Sequence, residues 1–187
     1  TCDSGSYPSF FGVLCGECKN VGFVDANISS TNQGIGIIAG YVGLNSGAVG
    51  FTGKIINCYT TGILKGSGAA GGNGRIENCY TTATIIDQIN ADNGKAGGII
   101  GRFHAGNTTS YIENCYVSGD ISATKGGWVG GIVGNMDSGT LNIKNCVAWS
   151  NTLLNNSNQA KIGRIVGGHN NNVTAENCYA YDGMILT

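Results

Sequence analysis

The stretch Ile112-Glu113-Asn114-Cys115-Tyr116-Val117-Ser118-Gly119 decides how this chain is read, because its pattern recurs at four other places. The copies are Ile56-Asn57-Cys58-Tyr59-Thr60-Thr61-Gly62, Ile76-Glu77-Asn78-Cys79-Tyr80-Thr81-Thr82, Ile143-Lys144-Asn145-Cys146 and Ala175-Glu176-Asn177-Cys178-Tyr179. Between them runs a second motif, Gly97-Gly98-Ile99-Ile100-Gly101, Gly130-Gly131-Ile132-Val133-Gly134 and Gly163-Arg164-Ile165-Val166-Gly167, with an earlier form at Gly36-Ile37-Ile38-Ala39-Gly40. Its last glycine steps by 33 residues each time, from Gly101 to Gly134 to Gly167, whereas the cysteine steps are 21, 36, 31 and 32. A kept period with variable loops is the behaviour of a solenoid. Each unit offers two short β-branched strands and a third apolar segment such as Gly62-Ile63-Leu64, Ile85-Ile86 or Ile121, with Gly or Asn at the corners. Identical motifs a full coil apart stack in parallel register at about 4.8 Å, which antiparallel hairpins with two-residue turns would not do. The expected fold is therefore all-β: a parallel β-solenoid of about five to six coils.

Composition narrows the rest. Among 187 residues, 33 are Gly and 22 are Asn, which suits tight turns and opposes helices. A single proline, Pro8, excludes collagen and Pro-rich linkers. Charged residues make up 11% and the net charge is −1, so the chain lacks the basic surface of a nucleic-acid partner. No apolar run is long enough for a membrane span, and membrane insertion is not expected. Opening on Thr1 reads as a processed or excised segment. Eight cysteines and four sequons, at Asn27, Asn107, Asn155 and Asn172, fit an oxidising, extracellular setting with candidate glycosylation.

The alternation of Gly-Gly-Ile-Val-Gly with Ile-x-Asn-Cys-Tyr over residues 34–185 resembles the GLUG-motif repeats of bacterial surface proteins, adhesin-like proteins and the non-catalytic regions of some large secreted proteases. That resemblance implies a β-solenoid scaffold and extracellular display. Two departures, Gly71-Gly72-Asn73-Gly74 without its Ile-Val core and Arg164 in place of the second glycine, mark coils expected to be less regular.

In a parallel stack every repeated position becomes a column along the axis. Asn57, Asn78, Asn114, Asn145 and Asn177 are expected to form an amide ladder at a bend. That bend breaks strict alternation and lets both the Ile and the following Cys58, Cys79, Cys115, Cys146 and Cys178 point inward as small hydrophobes. Disulfides between adjacent rungs compete with this reading. Cys15-Gly16-Glu17-Cys18 has ligand spacing, but there is no second such pair and His104 and His169 lie far off, so no metal or cofactor is expected. Cys2 and Cys15 are the candidate capping disulfide. The column Glu77, Glu113, Lys144 and Glu176 reads as a solvent face rather than a carboxylate pair for glycoside hydrolysis. The chain has three arginines, at 75, 102 and 164, and its acids are scattered, so no catalytic residues and no enzyme activity are expected. Tyr59, Tyr80, Tyr116 and Tyr179, interrupted by Val147, are the candidate recognition residues, either exposed toward sugars or a neighbouring subunit or packed under loops.

Residues 1–20 read as an N-terminal cap or docking segment and 21–187 as one solenoid domain. The functional expectation is a non-catalytic extracellular structural or adhesive module of a microbial surface, either a self-associating fibre subunit or a segment of a larger adhesin. A carbohydrate-binding or carbohydrate-cleaving β-helix, with loop acids such as Asp92 or Asp137, is the alternative. Solenoid ends must be covered or paired. Phe10 and Phe11 at one end and Met184, Ile185 and Leu186 at the other are the candidate assembly residues, for head-to-tail contact with another copy or with adjoining repeats.

Overall fold

Asn57, Asn78, Asn114, Asn145 and Asn177 all hold φ between 50° and 54°, and Asn20 joins them at 58°. Asn tolerates this left-handed conformation better than other residues with a side chain, and one such residue turns a strand sharply without a loop. The chain therefore bends at every Asn-Cys step. The computed structural model describes residues 9–31, 35–46, 49–66, 70–71, 74–88, 94–125, 127–156, 161–169 and 172–187. It is a parallel β-solenoid with no helix among these residues. About four turns run from Asn57 to Asn177, preceded by an N-terminal turn through Asn20.

A full turn has three walls. The first contains ten strands, among them Gly53–Ile56, Gly74–Glu77, Ile100–Glu113, Val133–Lys144 and Val173–Glu176, and ends at the Asn corner. Its register aligns the repeats residue for residue: Ile55 with Ile76, Ile76 with Ile112, Ile112 with Ile143, and Ile143 with Ala175. The second wall, also of ten strands, follows the corner and aligns Gly22, Tyr59, Tyr80, Tyr116, Val147 and Tyr179 in one column. The third wall has three strands, Lys95–Gly97, Trp128–Gly130 and Lys161–Gly163. Within the Gly-Gly-Ile-Val-Gly motif the third wall folds onto the start of the first. A Cβ on Gly130 would meet the carbonyl oxygen of Val133, so that position admits no side chain.

The core is a column of aliphatic residues and thiols. Ile132, Val133, Val129, Leu141 and Leu153 are wholly inaccessible, with Ile112, Ile121 and Ile143 nearly so. Fully burying one such side chain contributes about 1.5–3 kcal/mol. The coil between Cys58 and Cys79, only 21 residues long, has Ala70–Gly71 as its short return strand and no strand in the third wall among the described residues. A cavity results there.

Three expectations change. The parallel ladder reaches into the expected cap: Phe11–Leu14 pairs with Ala39–Val42, and Glu17–Lys19 pairs with Gly53–Ile56. Val13 and Leu14 are strand formers with one exposed and one buried side chain, so the segment behaves as a further rung rather than a separate unit. One antiparallel pair, Leu44–Ser46 with Val49–Phe51, interrupts the otherwise parallel pairing inside a long insertion. Met184 is buried in the core, so the exposed apolar end consists of Ile185 and Leu186.

Candidate functional site

At the corners, each Asn side chain donates to the one below. Asn57 Nδ2 reaches Asn20 Oδ1 at 3.1 Å, Asn78 reaches Asn57 at 3.1 Å, Asn114 reaches Asn78 at 3.0 Å, Asn145 reaches Asn114 at 3.0 Å and Asn177 reaches Asn145 at 3.4 Å. Asn20 is the member that motif reading missed. Its neighbours, Cys18-Lys19-Asn20-Val21, lack the Ile-x-Asn-Cys pattern, and only its 37-residue distance from Asn57 hints at the register. Between its two ends each amide donates to the rung below and accepts from the rung above, as a structural device does.

Behind each Asn, the Cys turns inward. Cys58, Cys79, Cys115 and Cys146 are buried and Cys178 is partly so, all as free thiols. Each Sγ–H has the carbonyl two residues earlier within reach, at 3.0–3.3 Å, and a carbonyl of the preceding coil at 3.5–3.8 Å. Hydrogen bonds with Cys146 and Cys79, together with burial, raise the Cys115 thiol well above its ordinary value. Cys18 sits in the Ile column opposite Ile55, with its sulfur 3.9 Å from that of Cys58. Burial, then the charge of Cys58, pushes it up to about 11. Cys15 is exposed and free, and its expected partner Cys2 lies outside the described residues.

On the opposite side of the same strands the aromatic column faces solvent. Tyr59 lies over the Cβ-less backbone of Gly22, and Tyr80 stacks on it with ring centroids 5.0 Å apart and an angle of 4°. Tyr80 is 44% exposed, Tyr116 38% and Tyr179 67%. Two residues after Val147 and Tyr179, just past their strands, Trp149 and Tyr181 stack at 5.0 Å and form a second aromatic pair. This second column escaped the sequence reading because Thr61, Thr82 and Ser118 occupy it in the earlier coils. Rings stacked along the axis cover one another's faces and present edges and hydroxyls outward.

The charged column is organised by a residue the motif did not single out. Arg75 pairs with Glu77 in its own coil and with Glu113 in the next at 2.5 Å, while Lys144 meets Glu176 at 3.1 Å. The two neighbouring carboxylates, Glu77 and Glu113, are thus bridged by one guanidinium. A second network lies where the third wall meets the first: Arg102 Nε is 2.5 Å from Asp137 Oδ2, and Asn135 donates to Asp137 Oδ1. Lys95 is buried nearby, where desolvation lowers its pKa against the opposing pull of Asp137. The other loop acid, Asp92, lies outside the described residues.

Of the sequon asparagines, Asn27, Asn107 and Asn172 are exposed. Asn155 is not a glycosylation site in the folded chain: it is 5% exposed, and its Nδ2 donates to the carbonyl of Gly127 at 2.8 Å. Among the described residues no group of three or more His, Cys, Asp or Glu side chains is arranged to hold a metal ion.

Comparison with solved structures finds a crystal structure from Bacteroides ovatus named a putative immunoglobulin A1 protease, 49% identical to this chain with a TM-score of 0.88. The match covers 98% of this chain and 57% of the other, so the chain spans little more than half the length of that protein. The shared parallel β-solenoid fold is established by this likeness. No protein-family model and no curated protein matches the sequence.

Proposed function

We propose that this chain is a non-catalytic, extracellular structural and adhesive module of a microbial surface, resembling the GLUG repeats, in which the stacked coils form a rod and the aromatic face makes the contact. The observation that carries this reading is the set of exposed rings on one side of the stack: Tyr80, Tyr116 and Tyr179 in one register column, with Trp149 two residues beyond the Val147 that interrupts it. Exposed aromatics arranged contiguously mark interaction surfaces. The greater length of the similar Bacteroides ovatus protein fits a module within a larger chain. Retention of the chain on glycan-coated, glycoprotein-coated and self-coated surfaces tests it. Replacing Tyr116, Trp149 and Tyr179 with Ser is expected to reduce retention at least about tenfold while leaving the chain folded, since all three side chains lie outside the core. Equal retention of parent and variant would remove the aromatic face from the account.

Head-to-tail assembly is the self-associating form of the same proposal. Ile185 is 57% exposed and Phe10 64% at opposite ends of the stack. Ile185→Lys should abolish filaments seen by electron microscopy, and filaments unchanged by that substitution would contradict the contact.

A catalytic reading draws on the name of the similar protein. Incubation of the purified chain with immunoglobulin A1 separates the two: an intact heavy chain supports the structural proposal, and cleavage lost on removal of the chain overturns it.

A further inference from the structure

The Cys15-x-x-Cys18 segment is unused by the adhesive reading, and so is the cavity left by the short coil. They meet at Cys58. The cavity has a volume of about 80 Å³, is partly open, and is lined by Ile37, Leu64, Ile76 and Ile85 together with Cys58 and Cys79. Thr60 and Thr81 also line it, but the Thr60 hydroxyl donates to Thr81 at 2.8 Å, and Thr81 accepts from the Ala83 N–H at 3.1 Å. These hydroxyls already have partners, so the chamber makes little demand for ordered water and admits small uncharged molecules. On its wall, Cys58 has the sulfur of Cys18 at 3.9 Å. Cys18 pairs in register with Ile55, not with Cys58, so this sulfur contact runs diagonally between coils and differs from the in-register pairs higher in the column.

We propose that Cys18 and Cys58 form a redox pair, a latent disulfide closed by small uncharged peroxides that enter through the cavity, which latches the N-terminal turn to the coil above it. The chemistry balances in two steps. The Cys58 sulfur attacks hydrogen peroxide, breaking the O–O bond to give Cys58 sulfenic acid and one water. The Cys18 sulfur then attacks the sulfenic sulfur, releasing a second water as the S–S bond forms. Two thiols are oxidised and one peroxide is reduced to two waters. The sulfurs must close from 3.9 Å to about 2.05 Å for the bond to form. Cys115 and Cys146, buried like Cys58 but absent from the cavity lining, stay as thiols.

Treating the intact chain with hydrogen peroxide and mapping disulfides in non-reduced peptides tests the proposal. The expected product is a Cys18–Cys58 cross-link, reversed by dithiothreitol, with a melting temperature raised by roughly 5–15 °C because the bond closes a long loop. Cys18→Ser should abolish the rise and leave Cys58 sulfenic acid to be trapped by a dione reagent. Ala83→Val, which narrows the cavity, should slow the reaction several-fold. If that variant does not fold, the ratio of oxidation rates of Cys58 and Cys115 in the parent decides the point. A cross-link between Cys15 and Cys18, a melting rise that survives Cys18→Ser, or oxidation of Cys115 as fast as that of Cys58 would each overturn it.

Discussion

Asn145 does two jobs that can be separated by substitution. It adopts φ of 54°, and its amide joins the ladder between Asn114 and Asn177. Asn145→Gly keeps the backbone conformation and loses the side-chain hydrogen bonds, so a loss of about 1–2 kcal/mol is expected in urea melts. Asn145→Ala adds the left-handed penalty and should cost about 2–4 kcal/mol. Equal losses would mean that the ladder alone, and not the turn, selects Asn. The thiols set an alkaline limit. Because the Cys18 pKa is raised to about 11 from 9.0, its neutral form stabilises the fold fully below pH 9, and this contribution is lost as pH rises toward 11. Stability should therefore fall by on the order of 1–3 kcal/mol over that interval, and Cys18→Val should flatten the decline. A decline of the same depth in both chains would assign it to other groups.

Among the elements, the Gly-Gly-Ile-Val-Gly turn carries the tightest constraint. A methyl at Gly130 would collide with the Val133 carbonyl, whereas one at Gly16 would meet nothing within 4 Å. Gly130→Ala should cost several kcal/mol or prevent folding, and Gly16→Ala should change stability by less than about 0.5 kcal/mol. Ile132→Asp or Val133→Asp, at wholly buried positions, should unfold the middle of the stack, and a melt unchanged by either would reverse the inward assignment. These strands were legible in the sequence because identical residues recur at the spacing of a coil, and the Asn bend followed from the same repetition. What was not legible shares a cause: it lies outside the repeated sequence motifs. Asn20 precedes the first motif copy, Arg75 clamps carboxylates from two coils, and Trp149 with Tyr181 replaces small hydroxyl residues, so each emerges only once the register is fixed. Asn155 was misread for a related reason: a sequon reports three residues, whereas its burial is set by the third wall at Gly127.

At the scale of the molecule, one rule organises the coils from Cys58 to Cys146: an Ile and a Cys face the core, Asn holds the corner, and the residue after Cys, Tyr in each except Val147, lies on the outer side. The rod and its aromatic face both follow from it. The rule is tested most directly by timed alkylation of the native chain with a small maleimide, followed by peptide mapping and repetition in denaturant. Cys15 should label at once, Cys58 more slowly through the cavity, and Cys115 and Cys146 only when the stack unfolds. Labelling of Cys115 and Cys146 in the folded chain at the rate of Cys15 would contradict the inward column, and with it the register on which the outward face depends.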